Sequence, residues 1–191
     1  MNSNIIVFIV GMPGSGKSIV ADELVNNGFA FLRFGQITLD KVKEQGLKPT
    51  EENEKRIREG LRKEHGMAAF AVLNLPKFDE LLKQSNVVGD GLYSWSEYKV
   101  LKEKYKDKMF VIAVCAPPEL RYERLESRGT ENDEKQRFRP FTREEAKSRD
   151  YAEIENVEKG GPIAMADFTI VNTGAIQDLK QEVRGILLKI K

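Results

Sequence analysis

Gly11-Met12-Pro13-Gly14-Ser15-Gly16-Lys17-Ser18 decides how the rest of the chain is read, because it fills every position of G-x-x-x-x-G-K-[ST]. The flanks fit as well as the letters do. Asn4 to Val10 (NIIVFIV) is the short, β-branched apolar run that a strand buried on both faces needs, and Ile19 to Asn27 (IVADELVNN) has the pattern of a following helix. Strand, glycine turn and helix start thus come in the order that makes an anion cradle. The glycines let the backbone turn its N–H groups inward, and the helix amino end adds roughly half a positive charge. Gly11, Met12, Pro13, Gly14, Ser15, Gly16, Lys17, Ser18 and Ile19 are therefore the candidate ATP-binding residues. Lys17 is expected to reach the β- and γ-phosphates and Ser18 to place its hydroxyl on Mg2+.

At 191 residues the chain reads as one domain, large enough to bury about 70% of the surface it exposes when unfolded. Its 31 basic and 30 acidic residues leave a net charge of +1, so no overall field draws it to nucleic acid or to an anionic membrane. Any cationic site must be local. The single Cys115, inside the apolar run MFVIAVCA, excludes an intrachain disulfide, suits a reducing compartment and reads as a core thiol. The apolar start is too short for a signal peptide and lacks a basic leader, and no other run approaches membrane-spanning length. A cytoplasmic monomer or homodimer is expected.

Phe29 to Phe34 reads as a second strand, with Arg33 near its carboxyl end, the edge where open parallel sheets gather ligands. Arg33 is thus a candidate to hold an anionic acceptor. Gln36 to Glu64 is highly charged, with sparse apolar positions such as Ile57 and Leu61, and predicts two small helices broken at Gly46 to Pro49. So thinly packed a flap suits a mobile acceptor-binding element, with Arg62 and His65 as candidate contacts; His65-Gly66 also reads as a helix carboxyl end with its glycine cap. Apolar spacing from Met67 to Leu82 predicts a helix on the sheet, either kinked at Pro76 or restarted there.

Asn86 to Gly91 reads as a short buried strand ending in Asp90, placed to be the second Mg2+ anchor and a proton acceptor. Gly91 and Tyr93 beyond it join the candidate acceptor residues. Ser94-Trp95-Ser96-Glu97 is a capping box opening a helix to about Tyr105; Trp95 reads equally as core or as acceptor-facing. Met109 to Ala116 is the fourth strand, and Pro117-Pro118 opens a helix that carries Arg121, Arg124 and Arg128 along one face. A polar loop from Gly129 to Pro140, with Arg137 and Arg139, leads to a second capping box at Thr142 and on to Arg149-Asp150. Arginines on both sides of a closing loop can surround a transferred phosphoryl group, so Arg124, Arg128 and Arg149 join Lys17 and Asp90 as candidate catalytic residues. Gly160-Gly161-Pro162 reads as a turn and Asp167 to Val171 as the fifth strand. Asn172 and Gly174, in the loop after it, suit either adenine packing or a structural turn. Ala175 to Lys191 closes as an amphipathic helix.

With these residues placed, the chain resembles the nucleoside monophosphate kinase-like branch of P-loop kinases, and more narrowly the adenylate-kinase-related and dephospho-CoA-kinase-like proteins. The resemblance rests on GMPGSGKS from Gly11, KEHGM from Lys63, VVGDG from Val87, PPELRYERL from Pro117, SRD from Ser148 and ADFTIVNTG from Ala166. It implies a three-layer α/β/α P-loop NTPase fold with a five-stranded parallel sheet of order 2-3-1-4-5. It also implies a helical acceptor flap at about 35 to 75 and a short lid at about 129 to 141. Two departures stand out: Leu92-Tyr93 replaces an arginine that related chains often carry, and Arg33-Phe34-Gly35-Gln36 replaces the paired aspartates of a dephospho-CoA kinase. The expected activity is transfer of the γ-phosphoryl group of ATP to a small phosphorylated acceptor, a nucleoside monophosphate first. The alternatives are a dephospho-CoA kinase and a regulatory NTPase without a small acceptor.

Overall fold

The computed structural model describes residues 4–127 and 141–190, with Glu51 described by its backbone alone. Arg128, Arg137, Arg139 and, apart from Phe141, the expected lid fall outside the described residues. At the centre is β1 (Ile6–Val10), five β-branched or aromatic residues that are all fully buried. It pairs in parallel with β3 (Val87–Asp90) on one side and β4 (Met109–Cys115) on the other. Strand β2 (Ala30–Arg33) lies outside β3 and β5 (Phe168–Val171) outside β4, giving the expected order β2-β3-β1-β4-β5.

Side chains of β1 alternate between two cores, as strand geometry dictates. Val7 and Ile9 pack with Val20 and Leu24 of α1 (Lys17–Asn26) and with Leu179 and Val183 of α9 (Ile176–Lys189). Ile6, Phe8 and Val10 face the opposite layer, built from α4 (Ala69–Leu82) and α5 (Trp95–Tyr105). Phe8, Phe34 and Phe78 meet there with ring centroids 5.3–5.7 Å apart. Gly89 makes room for them, since a Cβ at that position would lie 2.5 Å from the Phe8 ring.

The charged stretch after β2 forms α2 (Gln36–Glu44) and α3 (Glu51–His65), with Thr50 accepting from the Asn53 N–H as the cap of α3. Ile57 and Leu61 are its buried stripe. Helix α4 is continuous through Pro76, whose missing N–H frees the carbonyl of the exposed Val72. Met67 stays exposed outside that core. Helices α6 (Pro118–Glu126) and α7 (Arg143–Val157) follow β4, α7 with its capping box at Thr142. Gly160-Gly161-Pro162, read as a turn in the sequence, instead opens a short helix, α8 (Gly160–Ala164), because Glu158 takes a left-handed conformation (φ 54°) that ends α7 and lets the chain restart. Cys115 is half-buried against the core, and burial pushes its thiol above the ordinary range.

Candidate active site

The loop between β1 and α1 is clamped from two sides. Asn172, buried at the end of β5, donates its Nδ2 to the Ser15 carbonyl at 2.7 Å, while its own N–H bonds Cys115 O at 2.7 Å. From the other side Arg121 donates Nη1 to Pro13 O at 3.0 Å. Both clamps need glycine beneath them. A Cβ on Gly16 (φ 105°) would lie 2.3 Å from Asn172 Nδ2, and one on Gly14 (φ 79°) 2.5 Å from Arg121 O. The Asn172 amide thus helps to hold the loop's shape. Gly174 is exposed two residues on, against Asp178 in the first turn of α9.

Lys17 opens α1 and folds over the loop, donating Nζ to Gly11 O at 2.8 Å and to Met12 O at 3.0 Å. Burial, aided by the nearby charges of Lys159 and Arg149 and opposed by Asp90 and Glu153, brings its pKa from 10.5 down to about 7. Ile19 spends its N–H on Gly16 O at 3.0 Å, whereas the first amides of a helix, here those of Lys17 and Ser18, have no acceptor within it and remain available to an anion at its amino end. These donors fit nucleotide phosphates. The sheet register sets Ile9 and Arg33 on either side of Asp90, so Asp90 ends its strand beside the loop that Ser18 closes. Among the described residues no three His, Cys, Asp or Glu side chains gather as a metal cluster. Mg2+ does not need one: a hydroxyl and a carboxylate suffice when water and phosphate oxygens fill its shell.

Beyond β3, Gly91 (φ 107°) turns the chain in close contact with Phe34 and Tyr93. Glu97 Oε2 accepts from the N–H groups of Tyr93 and Ser94 at 2.9 Å each, and Ser94 Oγ donates to Met67 O at 3.1 Å, so one capping box ties this loop to the flap. Arg62 of α3 lies half-buried with its guanidinium 5.4 Å from the Phe70 ring centroid. Its Nε and the buried Glu97 Oε1 have no hydrogen-bond partner among the described residues. Burial lowers the Arg62 pKa and raises that of Glu97. Burial, with the carboxylates of Glu153 and Asp90, pushes the Tyr93 phenol up to about 12. Arg33 is exposed at its strand end. His65 stands apart, 3.5 Å from Glu64 Oε1, in a groove of about 300 Å3 between α2, α3 and α4.

Helices α6 and α7 bring the third group. Arg121 holds Asp150 through Nη1–Oδ1 and Nη2–Oδ2 contacts of 2.9 and 2.5 Å, and Tyr122 donates its hydroxyl to the same carboxylate at 3.1 Å. Arg124 is half-buried, with a buried Nη1 unpaired among the described residues. Arg149 donates Nε to Glu153 Oε1 at 2.9 Å and lies over the Phe141 ring. Two residues here escaped the sequence reading: Glu153 and Lys159. Lys159 is 1% exposed, paired with Glu153, with its Nζ 4.3 Å from the Tyr93 ring centroid. Glu153 was detectable as the i+4 partner of Arg149, but a lysine before Gly-Gly-Pro carries no signal of burial. The chain thus gathers Lys17, Asp90, Tyr93 and Arg149 with this pair, each close enough to shift its neighbours' charge.

The loop, the strand order and the Asp90 placement together are those of a P-loop fold. A family model described as an AAA domain matches residues 7–157. A UPF0200 protein of Thermococcus gammatolerans is 36% identical over 187 residues, covering 97% of this chain and 95% of its own. The chain belongs to the UPF0200 and AAA-domain families. Two solved structures share the fold of this UPF0200 member. TT1252 from Thermus thermophilus aligns over all of both chains with a TM-score of 0.64 at 20% identity. A dephospho-CoA kinase from Campylobacter jejuni aligns over 100% of this chain and 99% of its own, with a TM-score of 0.54 at 18% identity. The architecture is therefore a three-layer α/β/α P-loop fold. Among the described residues no helix is long and apolar enough to cross a membrane.

Proposed function

We propose that this chain is an ATP-dependent small-molecule kinase that moves the γ-phosphoryl group to a phosphorylated acceptor, a nucleoside monophosphate. The observation that carries this reading is the position of Lys17: folded over the clamped loop and in the field of Asp90 and Arg149. The backbone from Gly11 to Ile19, with Lys17, holds the donor phosphates. Ser18 and Asp90 hold Mg2+, which supplies charge neutralisation at the β- and γ-oxygens. Arg33, Arg62, Gly91 and Tyr93 hold the acceptor, and Arg124, Arg128 and Arg149 offset the charge that develops on the transferred group. The free Nε of Arg62 supports this division, since Arg62 approaches the loop in which Leu92-Tyr93 replaces the arginine of related chains.

The fold shared with a dephospho-CoA kinase makes dephospho-CoA the second acceptor to try. The test is phosphoryl transfer from γ-labelled ATP with Mg2+ to AMP, CMP, UMP, GMP, dTMP and dephospho-CoA in separate reactions. One labelled monophosphate product is the expected outcome. Label in dephospho-CoA alone moves the assignment to that acceptor. ATP bound and slowly hydrolysed, with no acceptor labelled, overturns the kinase reading in favour of a regulatory NTPase.

A further inference from the structure

Lys159 is built into its place at some expense. Glu158 before it holds a left-handed backbone without being glycine, a conformation that L residues seldom adopt. Helix α8 after it lies so close on Trp95 that a Cβ at Gly161 would be 2.9 Å from the indole Cε3. Trp95 is in turn stacked on Tyr98, with ring centroids 5.0 Å apart and planes 14° apart. Trp95 is thus the bed on which the α7–α8 junction rests, and the junction delivers one ammonium group into the space between Tyr93 and Glu153.

That space borders the phosphate loop, because α7, which carries Arg149 and Glu153, is tied to the loop by Arg121, bonded at once to Asp150 and to Pro13 O. Lys159 and Arg149 share Glu153 as their anion, and Glu153 is pulled below its ordinary carboxylate range by them despite its burial. Three cations, Lys17, Lys159 and Arg149, therefore converge where the protein itself provides the carboxylates of Glu153 and Asp90. A lysine ammonium has three N–H donors, and a single carboxylate and the Tyr93 ring face leave it able to serve a further oxygen. A buried ion pair is in general no more stabilising than apolar packing of the same volume, so stability alone gives little reason to bury the Lys159 ammonium here.

We propose that Lys159 is a catalytic residue that donates to a non-bridging oxygen of the transferred phosphoryl group, with Glu153 as the internal anion that holds its place before nucleotide arrives. The inference rests on the kinase reading above. In the transfer, the bond between the γ-phosphorus and the β–γ bridging oxygen breaks as an oxygen of the acceptor's phosphate bonds that phosphorus. The electron pair leaves with ADP, and Lys159 keeps its proton throughout. An acceptor bearing a phosphate monoester has an oxygen ready to attack without a base.

The test compares equilibrium binding of Mg2+ complexes of AMP-PNP and ADP to the full chain by calorimetry, in wild type, Lys159→Gln, Lys159→Arg and Lys159→Gln/Glu153→Gln. The expected result is an affinity for AMP-PNP at least tenfold lower in Lys159→Gln with ADP affinity within twofold of wild type, and substantial recovery in Lys159→Arg. The double variant, with no buried charge left unpaired, is expected to fold and to show the same selective loss. Equal affinities in all variants, or equal losses for both nucleotides, overturn the assignment and leave a structural ion pair. Should wild type bind AMP-PNP and phosphorylate no acceptor, the kinase reading falls while the γ-phosphate contact stands or falls on the binding data alone. Failure of wild type to bind either nucleotide overturns both.

Discussion

Arg121 and Asp150 form a bidentate pair, 2.9 and 2.5 Å, with each residue only 4% exposed, and the same guanidinium reaches Pro13 O in the phosphate loop. Asp150→Ala is expected to lower unfolding stability by about 3–5 kcal/mol, because it strands a buried cation. Arg121→Met/Asp150→Leu should regain much of that stability in a denaturant titration yet bind nucleotide weakly, since Pro13 O still lacks its donor. Full nucleotide affinity in the double variant would separate Arg121 from the loop's shape.

Asn172 offers a subtler case. Asn172→Ala leaves the Ser15 carbonyl without its side-chain donor, a loss of about 1–3 kcal/mol, and slackens the loop over Gly16. Asn172→Asp should be worse at neutral pH, because a carboxylate would then face a carbonyl. An unchanged denaturation midpoint in both would show that the clamp contributes nothing.

Lys17 makes binding depend on pH. The folded value of about 7 lies below 10.5, so between these the unfolded chain carries more protons and this group's contribution to stability improves as pH rises; below 7 it stays at its least favourable. Polyphosphate needs the charged ammonium, so nucleotide binding should take up about one proton at pH 8 and almost none at pH 6. Calorimetry at pH 8 in two buffers of different ionisation enthalpy measures that uptake. Identical heats in both would place Lys17 at its ordinary value.

Lys17→Ala is expected to cut phosphoryl transfer at least about 100-fold, the scale seen when a preorganised donor to developing charge is removed. Asp90→Asn should weaken transfer and flatten its Mg2+ dependence. An unaltered Mg2+ titration would take Asp90 out of the metal site.

Much of this was legible in the sequence for a definite reason. A central parallel strand must be apolar on both faces, so β1 and β4 announce themselves, and the motif between β1 and α1 fixes the edge of the sheet where chemistry collects. Capping boxes at Ser94 and Thr142 marked two helix starts, since side chain and backbone satisfy one another within four residues. What stayed hidden depends on contacts between distant parts of the chain. Nothing near Asn172 says that its amide will meet Ser15, and nothing near Lys159 says that Tyr93 and Glu153 will enclose it. Burial of a lysine is decided by the elements around it, and the local pattern there reads as a polar turn.

The bond from Asn172 to Ser15 spans 157 residues of sequence, and it sets an order of events in the making of the protein. During synthesis the phosphate loop leaves the ribosome before β5, the strand that carries its brace. A nascent chain halted after α7 would carry the whole motif and lack the strand that braces it. Nucleotide that arrives before β5 is made therefore meets a loop without its brace.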